Sequence, residues 1–465
     1  MKDFLKHISV YGVLPVIGKF AGFFLVPIYA RVFSSYEFGI VELLVTLASF
    51  LMFACNLEFY TAIGRFFYDR EALHEKKKLI STGLFLTLIF TVLVIILSFV
   101  FEDLLFEKYF EGGDYHFEYR ISLVWLFFSA LYTYLGIIPR YDKKPKLFVL
   151  ITAVSLLIRI GSTILYVLVF DAGVAGVIYG HITGSAISTI LNGIVSWKYL
   201  GFVFNWQDAK EIIRFSVPIV PGLLLIGLWN PLSRSLVSKF FSIETVGLLS
   251  FAVRITSVMA ILNSAIHLAW NPLLFENYKK DTFKADVYRI SRLVSVVALF
   301  GSIVLTLLSP EICIYIGTPE YAESAILIGF LALNGSLEVL TRMRGFGPLV
   351  QKKTYLLTAT ELIRTGLGVA LLFVLQNKLG LIGIGLAFII PSFVKYILLV
   401  FYTSNNIEIK FHSFIELFLL ILLGISMVSI SLSVNMISRI SVLALITIVV
   451  FMMLRHMKVI KIFIR

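Results

Sequence analysis

The chain has 465 residues, 59% of them hydrophobic and 15% charged, with a mean hydropathy of +0.94 and a formal net charge of +12. A soluble domain carries about 25% charged residues, so the 40 basic and 28 acidic side chains here cannot coat a soluble core of this size. A soluble globular protein is excluded, and the excess of lysine and arginine fits loops beside anionic lipid rather than a nucleic-acid partner.

In chain order, Lys2 and Lys6 precede an apolar stretch of about 25 residues. That is longer than the apolar region of a signal peptide, and it reads as a retained first span. Runs of about 20 apolar residues predict about fourteen spans: 7–32, 38–64, 79–101, 120–138, 147–170, 174–197, 211–237, 242–271, 287–308, 322–341, 355–377, 380–402, 412–434 and 439–457. The loops test this division. If the N-terminus is cytoplasmic, alternate loops hold about 28 basic residues against about six on the opposite side. Adding or removing one span would destroy that alternation. The expected topology therefore has an even number of spans and both termini in the cytoplasm. The longest outer loop, FEDLLFEKYFEGGDYHFEYR, is acidic. Two cysteines, Cys55 and Cys313, are too few for a disulfide framework or a cysteine metal cluster.

The corner FLVPIYARVFSSYEFGIVELL at 24–44 has an echo at 233–251, SRSLVSKFFSIETVGLLSF. Arg31 matches Lys239, Phe33 matches Phe241, Ser34 matches Ser242 and Gly39 matches Gly247, at an offset of about 208 residues. RYDKKPK at 140–146 likewise answers VQKKTY at 350–355, and GVAG at 173–176 answers GLIG at 380–383. The expected fold is thus an all-α polytopic membrane protein. A six-helix lobe at 1–205 and a second at 206–404 surround a central cavity, and two further spans follow at 405–465.

Basic residues fall at membrane depth: Lys19, Arg159, Arg234, Arg254, Arg364 and Lys395. A charge at a helix centre costs about 2.5–3.5 kcal/mol on insertion scales, so such residues should face an interior or a wet cavity. Glu361 and Arg364 lie one turn apart and can neutralise each other, and Glu338 and Arg342 have a similar spacing. Lys19, Arg159, Arg234 and Arg254 have no carboxylate nearby in sequence. Asn230 shares a helical face with Arg234. Unpaired interior cations suit an anionic headgroup such as a pyrophosphate; the competing reading is snorkelling to the interface. Glu58, His181, Asn230, Asn263, Glu361, Arg364 and Lys395 are the other polar candidates for lining a cavity or coupling transport to an ion. His181, His267 and Asn263 read more readily as interhelical hydrogen-bonding groups than as metal ligands. Catalytic, metal and nucleotide-binding motifs are absent from the sequence. The expectation is a protein that is not an enzyme and has no cofactor, driven by an H+ or Na+ gradient, the membrane potential or substrate mass action.

The first corner, with Pro27, Ile28, Tyr29, Arg31, Ser34, Ser35, Tyr36 and Gly39, resembles the polysaccharide and O-antigen repeat-unit flippases (Wzx-type) of the multidrug/oligosaccharidyl-lipid/polysaccharide (MOP) exporter superfamily. The basic loop after the fourth span and the turn GVAGVIYG match as well, and the span layout is similar over nearly the whole chain. The resemblance implies a MATE-like fold, alternating access, and a polyprenyl-diphosphate-linked oligosaccharide as cargo for surface polysaccharide synthesis at a bacterial or archaeal cytoplasmic membrane. It also implies membrane lipids, a polysaccharide polymerase and chain-length machinery as partners. By position, Lys19, Arg31, Arg65, Arg234 and Arg254 would be cavity cations, with Arg159 added from its depth. Competing functions are a flippase of peptidoglycan lipid precursors, a cation-coupled drug exporter, and, in another class, a membrane polymerase or O-acyltransferase. A polymerase would need a larger outer loop than the one present, and a drug exporter would need acidic rather than basic cavity residues.

Overall fold

The computed structural model describes residues 25–456 except 68, 111–113, 143, 218–219, 221–226, 278–282, 352, 354, 376–378, 410–413 and 432–434. All regular structure among these residues is helical. Among the described residues, ten helices are long and apolar enough to cross a membrane, and shorter apolar helices lie at Phe418–Met427 and Met436–Val450. The protein is a multi-pass membrane protein. Most of the predicted first span lies outside the described residues, which begin with helical residues 25–32. The described residues form two compact units, residues 32–247 and residues 25–31 with 248–456.

In the first unit the helices are α1 Ser35–Asn56, α2 Phe59–Phe67, α3 Leu73–Val100, α4 Glu102–Tyr109, α5 His116–Leu135, α6 Ile138–Tyr141, α7 Pro145–Ile164, α8 Gly173–Ser196, α9 Trp206–Ser216, α10 Trp229–Phe240 and the first turn of α11 Ile243–Asn277. A π-helical turn, Leu165–Val169, extends α7. The repeated corner shows why its residues recur. Ser34 caps α1: its hydroxyl accepts from Glu37 N–H at 3.2 Å, and Glu37 Oε2 accepts from Ser34 N–H at 2.9 Å. Ser242 does the same for α11, accepting from Thr245 N–H at 3.2 Å. Ser-x-x-Glu before an apolar run is the sequence signature of such a cap. The two matching glycines are equally constrained. A Cβ on Gly39 would stand 2.2 Å from Ile243 O, and one on Gly247 would stand 1.9 Å from Ser35 O. Gly39 and Gly247 are equivalent in the repeat, as are Ser35 and Ile243. Each glycine therefore meets the other copy's equivalent carbonyl, the reciprocal pattern of a two-fold contact.

Elsewhere in this unit, α8 carries Gly176, Gly180 and Gly184 on one face, as small residues let membrane helices approach closely. Thr163 lies over Gly180 and the Arg159 stem over Gly184. A buried apolar cluster of Phe59, Ile63, Phe67, Leu79, Ile80, Tyr134, Leu135 and Ile212 joins α2, α3, α5 and α9.

The second unit contains the rest of α11, then α12 Phe283–Leu307, α13 Ser309–Ile316, α14 Ser324–Arg344, α15 Gly347–Val350, α16 Tyr355–Leu375, α17 Gly380–Ile407, α18 Phe414–Ser431 and α19 Met436–His456. Helices α12 and α14 meet along hydroxyls: Ser302 donates to Ala332 O at 3.0 Å and Ser336 to Ala298 O at 2.8 Å. The last two helices share this unit's core, because Leu419, Leu423, Ile446 and Val450 join the cluster built on Met259, Leu299, Ile303 and Leu340. Arg439 fastens α19 to α13 through both Glu311 oxygens, at 3.1 and 2.7 Å, and donates to Leu307 O at 3.0 Å.

Candidate functional site

In the first unit, α10 carries Arg234 (9% exposed) to Glu42 of α1 (6% exposed), with Nη2 to Oε2 at 3.3 Å. The partner lies 192 positions away, beyond the reach of spacing arguments. The Arg234 Nε is buried and lacks a hydrogen-bond acceptor among the described residues. Beside the pair, Leu43, Leu47 and Phe50 of α1 face Leu228, Pro231, Leu232 and Ser235 across an apolar pocket closed by Phe110. Asn230 is exposed one turn before Arg234, and its carbonyl accepts from Ser233 Oγ at 3.0 Å.

The second predicted span, 38–64, is not one helix. Between α1 and α2, Leu57 (φ 38°) and Glu58 (φ 59°) adopt left-handed backbone, a conformation costing of order 1–3 kcal/mol for a non-glycine residue. The packing of Phe59, Ala62 and Ile63 in the unit's core holds the break in place. The break follows directly on the Ser35–Asn56 span, which is long enough to cross the membrane by itself. Glu58 is 8% exposed and accepts from Tyr60 Oη and Thr61 Oγ1, both at 2.5 Å. Among the described residues no cation pairs with it. Glu58 is thus a buried carboxylate held by two hydroxyls at a strained break between α1 and α2.

In the second unit, three spans bring four charges together. Arg364 Nε donates to Glu361 Oε1 at 2.7 Å, and Lys395 Nζ donates to Glu361 Oε2, also at 2.7 Å. Arg364 Nη1 lies 3.5 Å from Glu338. Glu361 is 8% exposed. The Glu361–Arg364 pair is the one the spacing predicts. Glu338 forms its ion pair with Arg364 rather than with Arg342, whose Nε donates to Asn263 Oδ1 at 2.9 Å. Two carboxylates and two cations make this cluster formally neutral, so Arg364 and Lys395 add no net positive charge to the interior.

The remaining candidates are dispersed. Arg254 lies 4.8 Å from the centroid of the Tyr29 ring, and Arg31 donates to Tyr315 O at 3.1 Å. Arg65 is exposed and pairs with Asp69 at 2.8 Å. The His181 ring lies 4.5 Å from Trp125. Lys19 lies outside the described residues, as does the side chain of His267. Sequence reasoning overlooked Tyr60 and Thr61; both follow Glu58 within one turn, which is the only signal they offer.

A family model described as polysaccharide biosynthesis protein matches residues 4–278. The chain belongs to that family. The polysaccharide biosynthesis family is part of the MOP superfamily, and solved structures of the superfamily share its fold. A lipid II flippase, MurJ, in an inward closed conformation aligns with a TM-score of 0.71 at 16% identity, over 96% of this chain and 99% of that one. An inward-facing multidrug resistance MATE transporter of the MOP superfamily gives 0.65 at 16% identity, over 84% and 94%. An outward-facing one gives 0.54 at 17% identity, over 87% and 96%. No curated relative matches the chain in sequence. This member of the polysaccharide biosynthesis family therefore has the MATE- and MurJ-like transporter fold that its sequence implies.

Proposed function

We propose that the protein is a flippase that carries a polyprenyl-diphosphate-linked oligosaccharide repeat unit across the cytoplasmic membrane by alternating access, for surface polysaccharide synthesis. The family match over residues 4–278 carries this reading. The repeated corners, with matching caps and reciprocal glycine contacts, support an origin by duplication and the two six-span lobes at 1–205 and 206–404. The charge bias between alternate loops supports cytoplasmic termini. In this reading the protein is not an enzyme: the sugars pass and the lipid anchor stays in the bilayer. A polymerase and chain-length machinery would take up the delivered repeat unit.

Arg254, at membrane depth with its guanidinium 4.8 Å from the centroid of the Tyr29 ring, is the cation assigned to the diphosphate. Replacing it by glutamine keeps a polar side chain of similar length and removes the charge, along with a cation–π contact of about 0.5–1 kcal/mol. Arg254→Gln should therefore lower transport in reconstituted vesicles at least tenfold while the melting temperature stays within a few degrees. Unchanged transport would remove Arg254 from substrate binding.

Glu58 is the group assigned to ion coupling. Glu58→Gln keeps the hydrogen bonds to Tyr60 and Thr61 and fixes the group as neutral. In vesicles, wild-type transport should accelerate when a proton or sodium gradient is imposed, and the Glu58→Gln rate should not respond. A variant that responds as the wild type does would exclude Glu58 as the coupling group.

A further inference from the structure

The segment joining α8 to α9 carries an aromatic and basic surface that transport does not explain. Trp197, Phe202, Val203, Phe204 and Trp206 are all exposed. The backbone is extended at Leu200 and Asn205, bends at Phe202 between them, and enters α9 at Trp206. The Phe204 and Trp206 rings are 6.1 Å apart.

Its contacts with α3 fix its depth. A Cβ on Gly201 would stand 2.5 Å from Lys77 Cε, Asn205 N–H donates to Thr82 Oγ1 at 3.0 Å, and Phe204 lies 6.3 Å from Phe85. The segment thus runs beside α3 from Lys77 to Phe85, about 12 Å of helix. Over that stretch α3 passes from Lys76, Lys77 and Lys78 into an uncharged, largely apolar run. Such a change from basic to apolar marks a membrane–water interface, where tryptophan and other amphipathic rings collect.

The charges around the aromatic row are predominantly positive. Arg70 engages both acids of α9, Asp208 at 3.1 Å and Glu211 at 3.0 Å, and Lys198 engages Asp142 at 3.1 Å. Lys210, 5.9 Å from the Trp206 ring, and Arg214 are exposed and pair with no acid among the described residues. With Lys76, Lys77 and Lys78 they make five cations against Glu71 and Glu75. A neutral aromatic row would suit any lipid; the added cations select negative headgroups, each exposed Lys or Arg favouring them several-fold.

We propose that residues 197–214, with the lysines at the start of α3, form an interfacial platform that seats the aromatic row in the bilayer and binds anionic phospholipid headgroups through Lys210 and Arg214. The full-length protein in vesicles tests this with lipids brominated near the headgroup, presented as phosphatidylglycerol or phosphatidylcholine at equal mole fraction. The Trp206 contribution is the difference between wild type and Trp206→Phe. It should be quenched by both lipids and at least twofold more by the anionic one. Lys210→Gln with Arg214→Gln should abolish the preference and keep the quenching. Raising the salt to about 0.5 M should do the same in the unmodified protein. Equal quenching by the two lipids in the wild type would overturn the headgroup assignment. No quenching by either would overturn the platform altogether and leave an aqueous surface for a protein partner.

Discussion

Replacing Glu361 by alanine is expected to destabilise the protein by about 3–5 kcal/mol, the usual effect of removing one member of a buried ion pair. Glu361 holds both Arg364 and Lys395. Its loss leaves two cations at membrane depth without their shared carboxylate, with Glu338 3.5 Å from Arg364. Thermal unfolding in detergent would show a melting point lowered by many degrees and a reduced yield of monodisperse protein. Combining Glu361→Gln with Lys395→Met keeps the charges balanced, with Arg364 facing Glu338, and should recover most of the loss. If the alanine variant melts like the wild type, the network does not hold the three spans together. If the balanced double variant stays as unstable as the alanine variant, charge is not the reason.

Alanine at Gly247 should prevent correct packing of the repeated corner. The new Cβ would stand 1.9 Å from Ser35 O and 2.8 Å from Ser35 C, which are backbone atoms with no rotamer to move aside. Forcing extra atoms into a packed interior typically costs about 1–3 kcal/mol, occasionally more, and a clash with backbone belongs at the upper end. Gly39→Ala meets Ile243 O in the same way, at 2.2 Å. Gly366 and Gly424 provide the controls: nothing lies within 4 Å of a Cβ at either. Alanine there should be neutral or slightly stabilising, since it is the better helix former. Folded yield, followed by size-exclusion chromatography of tagged protein, separates the two classes. Equal yields for Gly247→Ala and Gly366→Ala would contradict the close contact.

The spans were legible because about 20 apolar residues in a row admit little but a membrane helix, and the ten long helices fall where hydropathy puts them. The Glu361–Arg364 pair was legible from its one-turn spacing. What sequence could not show depends on distant partners or on packing. Arg234 meets a carboxylate 192 positions away. Glu338 forms its ion pair with Arg364 of another helix rather than with Arg342 one turn away. The break at Leu57 and Glu58 has no glycine or proline to announce it; the packing of Phe59, Ala62 and Ile63 enforces it instead. The echo between 24–44 and 233–251 was visible as letters, but its meaning as a reciprocal glycine contact needed coordinates. The expectation of an interior lined by unpaired cations is also altered. Arg234, Arg364 and Lys395 each have a carboxylate, so none of these three is an unpaired cation.

The central claim is that the protein moves lipid-linked repeat units from the inner to the outer leaflet. The most direct measurement is to deplete the protein from its host and determine the leaflet on which polyprenyl-diphosphate oligosaccharides collect, using an impermeant glycan-modifying reagent on intact and opened cells. Accumulation on the cytoplasmic leaflet, labelled only after opening, is the expected result. Accumulation on the outer leaflet, labelled in intact cells, would contradict it and point to a later step such as polymerisation.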